Sequence, residues 1–167
     1  MKVSRETDVN RILDEFSGKL PQFPDGRIDY SESLRAPVIT CFVRFKDKVL
    51  LLKRSDNVGA YRGKWNAVAG YIDEAKPLSM KVMDELKEEL GILHDDILRI
   101  EFGAPYEFYD LGIERTWIIY PCVADLRNNR KIRLDWEHTA FKWIYPDEIF
   151  DYDIVPRLDE SLNRVLG

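Results

Sequence analysis

Glu85, Glu88 and Glu89 stand at i, i+3 and i+4 within LSMKVMDELKEELG. Residues three and four apart are neighbours on a helix surface, so a helix here would gather all three anions on one side. Anionic oxygens brought together repel one another unless a cation neutralises them, and hard oxygen donors suit Mg²⁺ or Mn²⁺. Gly70 precedes the segment and Gly91 closes it. Clustered carboxylates on a helix between glycine turns suggest a divalent-metal site for phosphate chemistry. The bland alternative is a solvated acidic face. Met83, Leu86 and Leu90 form an apolar stripe with the glutamates roughly opposite, and Lys81 and Lys87 could pair on the surface for only about 0.3–0.5 kcal/mol per pair.

The register of the flanking residues favours the metal reading. From Gly70 to Ile92 the chain resembles the Nudix box: Gly70, Glu85, Leu86, Glu88, Glu89, Gly91 and Ile92 meet seven of the nine specified positions without a gap. Two positions depart from it. Lys76 stands where the family has Glu, and Asp84 stands where it has Arg. The resemblance extends less specifically from about Arg35 to about Phe150.

What the resemblance implies is an α/β fold, a Nudix-like α/β/α sandwich with a mixed β-sheet. The implied activity is metal-dependent hydrolysis of a phosphoanhydride bond in a nucleoside diphosphate linked to another moiety, with Mg²⁺ or Mn²⁺ as cofactor. Carried over by position, Glu85, Glu88 and Glu89 are metal ligands and catalytic carboxylates, with Glu85 or Glu89 doubling as base. The backbone carbonyl of Gly70 matches a further ligand, although a simple turn glycine is nearly as good a reading. Arg54 matches a position that holds substrate phosphate. Trp65 precedes the box strand and is assigned to the substrate site by stacking on a base, with core packing the commoner fate of such an aromatic. Glu137 is placed at the substrate site as an extra metal ligand or base. His138 is expected to be structural; Tyr106, Phe108 and Tyr109 either line the cleft or pack under the sheet, with packing favoured, and Arg62 and Lys64 either hold phosphate or are solvated, with solvation favoured.

The two departures carry expectations of their own. Asp84 cannot orient the box carboxylates as an arginine would, and it lies four residues before Glu88, a repulsive relation on a helix. Lys81, Lys87 or a distant base would then supply the orientation, while Asp73 and Glu74 stand in for the upstream Glu. Metal affinity is expected to be reduced rather than lost, and Asp84→Arg to raise thermal stability without metal. The rival reading is a non-catalytic nucleotide-binding or sensing module. An isomerase of the isopentenyl diphosphate type would need a catalytic loop cysteine, whereas Cys41 lies in an apolar strand pattern.

The elements that must position these groups are legible in the hydrophobic pattern. Val9, Ile12, Leu13 and Phe16 fit a short amphipathic helix that Thr7 or Asp8 could cap. Residues 17–34, with Gly18, Pro21, Pro24 and Gly26, read as an irregular arm. PVITCFVRF and VLLLKR around Lys46-Asp47-Lys48 predict a hairpin, and WNAVAGY a short strand leading into a helix over about 78–90. Strands follow at about 99–109, 116–123 and 138–144, with the basic segment 127–133 as a solvated hairpin tip, then a terminal helix within 153–166. The organisation expected is an N-terminal helix and arm, 1–34, packed on a Nudix hydrolase domain, 35–167.

With 167 residues, 45% hydrophobic and 33% charged, the chain can build one core. A net charge of −5 argues against general nucleic-acid binding. No apolar run suits a signal peptide or membrane span, so the expected compartment is cytoplasmic, with Cys41 and Cys122 as buried free thiols. The expected partner is a small nucleotide-type molecule, with no membrane, and the N-terminal arm could pair subunits into a homodimer.

Overall fold

The computed structural model describes residues 1–166. The predicted hairpin forms from β2 (Arg35–Phe45) and β3 (Lys48–Arg54), its turn closed by Lys46 with φ 54°. WNAVAGY is not one strand. β4 (Trp65–Asn66) pairs with β3 and β5 (Val68–Tyr71) pairs with β2, so the chain changes partner at Ala67. The stretch predicted at 99–109 is likewise two strands, β6 (Ile97–Phe102) and β7 (Tyr106–Asp110). Gly103-Ala104-Pro105 interrupts it, where proline lacks the N–H that a ladder needs. Both strands pair antiparallel to the long β8 (Arg115–Leu126).

With β1 (Lys2–Ser4) and β9 (His138–Ile144), these strands form a nine-stranded mixed sheet. Its main path runs β1-β6-β8-β2-β3-β4, with β5 on β2, β7 on β8 and β9 on β3. The β1–β6 and β2–β8 pairs are parallel and the others antiparallel.

The pleat divides the core in two. Ile39, Cys41, Val43, Leu50, Leu52, Cys122 and Ala124 face α1 (Val9–Leu13) and α2 (Leu78–Leu90). Phe42, Val49, Leu51 and Val123 alternate with them and face the second cluster, under α3 (Leu158–Leu166). Side chains two apart on a strand share a face, so this alternation makes the helix–sheet–helix sandwich. Cys41 and Cys122 are directly opposite across β2 and β8, buried and unbridged.

The N-terminal segment is woven into this frame. β1 extends the sheet edge, and Val9, Ile12, Leu13 and Phe16 lie in the first core cluster. Glu6 Oε1 accepts from Ser79 N at 2.7 Å, supplying the anionic cap that α2 lacks locally, since Pro77 offers no side-chain oxygen. No helix among the described residues is long and apolar enough to cross a membrane.

Asp125 joins two strands through its carboxylate, accepting from Arg44 Nε at 2.6 Å and Nη2 at 3.0 Å and from Arg99 Nε at 2.6 Å. Burial alone would raise this carboxyl; the Arg44 and Arg99 guanidiniums outweigh it and hold it below the usual carboxylate range. A carboxyl depressed in the folded state stabilises the fold above its unfolded value, about 3.9. That contribution fades as pH falls through the folded value. The stability advantage of the native protein over Asp125→Asn should therefore be full at neutral pH and narrow as pH falls below about 4 in denaturant titrations. A constant difference down to strong acid would contradict it.

Candidate active site

α2 carries the central carboxylates and its termination sets their height. Gly91 takes φ 72°, and the N–H groups of Gly91 and Ile92 bond back to Lys87 O at 3.0 Å and Leu86 O at 3.2 Å. This left-handed cap is the position that glycine accepts without penalty. The stripe facing the sheet is Leu78, Val82, Leu86 and Leu90. Glu89 falls three residues after Leu86 and seven after Val82, both same-face spacings. It is 2% exposed, so the expectation that all three glutamates oppose the apolar stripe is corrected for this one. Glu85 is half-buried and Glu88 exposed.

Two further segments converge on the helix. Gly70 on β5 lies so close to Glu85 that a Cβ there would stand 2.7 Å from the Glu85 carboxyl carbon and from Oε1. The segment after β8, expected as a solvated basic tip, instead lies along the C-terminal end of α2. Arg133 N donates to Leu90 O at 3.0 Å and Asp135 N to Glu89 O at 3.2 Å, satisfying carbonyls that the helix leaves unpaired. Arg130 adds a bond to Gly91 O at 3.1 Å and an ion pair with Asp96 at 3.0 Å. Ile132 is buried among the core residues. This lacing places Glu137 and His138 beside Glu89.

The ligand atoms of Glu89, Glu137 and His138 all lie within 4.8 Å of one another. His138 Nδ1 is 3.2 Å from Asp135 Oδ1 and Nε2 is 3.7 Å from Glu89 Oε1. Glu89 Oε2 is buried with no hydrogen-bond partner among the described residues. Burial first, then the adjoining Glu85 carboxyl and the charges of Glu137 and Asp135, push the Glu89 carboxyl well above the ordinary range. Glu137 is raised by burial and by Asp135 and Glu85, and Glu88 by burial and Glu85. Burial depresses the His138 imidazole despite Asp135, which favours the neutral ring. Burial is the largest cause at each of these three acids, and their neighbouring carboxyls add to it.

One local cation is already present. Lys81 is buried with Nζ 3.2 Å from Glu85 Oε1 and 3.4 Å from Asp73 Oδ1. Burial works against its charge, but Glu85 and Asp73 outweigh that and keep the ammonium protonated. The orientation expected from Lys81 thus has a geometric counterpart, whereas Lys87 is exposed.

These groups open onto a cleft of about 930 Å³. Arg54, Gly70, Glu85, Glu88 and Glu137 line it; Glu89 does not, lying buried behind them, and neither does Trp65. Trp65 packs edge-on against Tyr152, ring centroids 5.3 Å apart, on the α3 side of the sheet. Its assignment to the substrate site is therefore corrected, and the pleat gives the reason. The adjacent Asn66 faces the cleft, which turns Trp65 and Ala67 to the opposite face. Arg54 lines the cleft while its Nε donates to Ala60 O at 3.0 Å. Arg62 is exposed and Lys64 pairs with Asp153 at 2.8 Å, neither lining the cleft.

The far wall is aromatic and was missed by the sequence reading. Tyr71 stacks on Tyr30 at 5.4 Å and leans on Trp117 at 6.2 Å. Arg115 lies over the Trp117 ring, 4.6 Å from its centroid, and donates to Tyr71 OH at 2.9 Å and Tyr30 O at 2.7 Å. Its Nε is buried without a partner among the described residues. Tyr106 and Phe108, expected to pack under the sheet, also line the cleft, while Tyr109 is exposed. The period-2 pattern of β7 and β8 could have marked these faces, but nothing local says which face meets a cleft. The arm contributes as well: Ile28 N donates to Asp73 O at 2.9 Å, Tyr30 OH to Ile72 O at 2.5 Å, and Arg27 and Ser31 reach the cleft.

Comparison with known proteins bears on the family and the fold. A family model described as the NUDIX domain matches residues 34–165. A nucleoside triphosphatase NudI from Escherichia coli is 24% identical over 134 residues, spanning 72% of this chain and 90% of the relative. The crystal structure of a MutT protein from Methanosarcina mazei Go1 superposes with a TM-score of 0.65 at 23% identity, covering 80% of this chain and 94% of that one. The NUDIX domain of Shewanella oneidensis NrtR, in a structure with ADP ribose, gives a TM-score of 0.65 at 15% identity, covering 78% and 85%.

Proposed function

The chain belongs to the NUDIX domain family and is a Nudix pyrophosphohydrolase, and on that premise we propose that it hydrolyses a phosphoanhydride bond of a nucleotide with a divalent metal held by Glu85, Glu88 and Glu89. The observation that carries this reading is Glu89: a buried carboxyl with one oxygen unpartnered among the described residues, set behind the cleft wall beside Glu85 and Glu137. Leaving such a group unpaired is costly, and a cation is what the surrounding acids call for. The donors are mainly carboxylate oxygens, which fit Mg²⁺ or Mn²⁺. The Gly70 carbonyl would complete the set, with the bare α-carbon leaving room for the Glu85 side chain.

A divalent ion bound there would offset phosphate charge and acidify a water. The chain's own residues do the rest. Glu137, raised by burial and its acidic neighbours, is suited to take the proton from that water at the cleft surface. Lys81 holds Glu85 in place against Gly70. Arg54 meets phosphate oxygens from the strand end, and the Tyr71–Trp117 wall with Arg115 receives the base by stacking. The candidate substrates are a nucleoside triphosphate, the class named for the NudI relative, and ADP-ribose, the molecule bound in the NrtR domain.

The test is a panel of nucleoside triphosphates, nucleotide sugars, dinucleoside polyphosphates and ADP-ribose with Mg²⁺ or Mn²⁺. The expected outcome is release of nucleoside monophosphate from at least one substrate, abolished by chelator and restored by metal. Turnover indifferent to chelator, or binding across the panel without hydrolysis, would overturn it.

A further inference from the structure

Lys76 and Asp84, the two positions at which the chain leaves its motif, meet in space: Lys76 Nζ lies 2.6 Å from Asp84 Oδ2. We propose that the two departures are one matched change, an ion pair with its charges exchanged between loop and helix, and that this pair positions the carboxylates of α2. The proposal rests on reading Glu85 as a metal ligand. Where the motif has an acid in the loop and a base on the helix, this chain has a base in the loop and an acid on the helix. Coulombic attraction is unchanged when both signs are reversed.

Unpaired, Asp84 would add a negative charge beside Glu85 and repel Glu88 one turn on. Paired with Lys76 it is drawn toward the loop, and neither residue lines the cleft. The same short loop is tied to α2 a second time, by Lys81 and Asp73 at 3.4 Å, with the cation now on the helix. These two ties hold together the segments that carry Gly70 and Glu85, which lie so close that a Cβ at Gly70 would meet the Glu85 carboxyl group. Lys76 and Asp84 are 30% and 46% exposed, so their pair adds little to global stability. Its effect belongs in the geometry of the site. Asp84→Arg is accordingly proposed to bring no gain in stability, because arginine at 84 would face Lys76 instead of pairing with it.

The test is a charge-reversal cycle: Lys76→Glu, Asp84→Arg and the double variant, titrated with Mn²⁺ without substrate and then assayed for kcat and KM. Both single variants should bind Mn²⁺ roughly tenfold more weakly and lose kcat more than KM, while the double variant recovers most of both. General electrostatics makes a different forecast. Lys76→Glu adds negative charge and would tighten cation binding, Asp84→Arg would weaken it, and the double variant would be their sum. That pattern, or a double variant no better than the singles, overturns the proposal. Should the native protein bind no Mn²⁺, the metal reading fails instead. The pair is then judged by amide hydrogen exchange of residues 73–77 without metal, faster in both singles and restored in the double if it is real, and unrestored if it is not.

Discussion

Glu89→Gln is expected to lower turnover by at least roughly a hundredfold, while the metal-free protein unfolds no more readily than the native one. The size follows from losing a principal ligand, since removing even a supporting contact around a bound metal commonly costs about 10–100-fold. The stability forecast follows from burial. Glu89 is 2% exposed, Oε2 has no partner, and Glu85, Glu137 and Asp135 all press charge toward it. Glutamine keeps the shape, removes the charge, and offers an amide donor to the neighbouring carboxylates. Activity thus falls at this residue without a loss of stability, as expected where function requires a costly group. Steady-state assays and thermal melts in chelator would check both halves. A variant with native turnover would remove Glu89 from the site, and one that melts far below the native protein would make it a structural residue.

Gly70→Ala should lower activity about a hundredfold with the fold intact. The added Cβ would stand 2.7 Å from the Glu85 carboxyl carbon and Oε1, closer than carbon and oxygen can approach. What yields is the end of a flexible side chain, so the fold absorbs the change at small expense. Glu85 must swing away, and in doing so it leaves Lys81, 3.2 Å from Oε1. Displacing an active group by about an ångström can cost on the order of 10²-fold. Mn²⁺ affinity should fall with kcat while the melting temperature stays near native. Unchanged activity would show that Glu85 has a second productive position, and that Gly70 serves only its strand.

The helix, its glycine cap and the register of three glutamates were legible from residue order alone, because they depend on spacing within one short segment. A period of 3.6 residues and a left-handed terminal position are local properties. The order of strands and helices also carried a mixed sheet with a helix on each face, and the resemblance to the Nudix family carried the sandwich. Arg54 and Glu137, singled out by position, are brought into the cleft by the fold.

Which carboxylate is buried, which aromatic ring faces the cleft and which charge has a partner depend on packing between distant segments. The spacing from Val82 and Leu86 turns Glu89 toward the sheet, and the loop after β8 then covers it, through a contact between residues 89 and 135 that no local pattern encodes. Trp65 turns away and Trp117 toward the cleft because strand faces alternate, and only the packed layers show which face is which. Lys76 and Asp84 read singly as two defects in a motif; 2.6 Å apart, they are one interaction. Charge complementarity is a property of pairs, and the fold chooses the pairs.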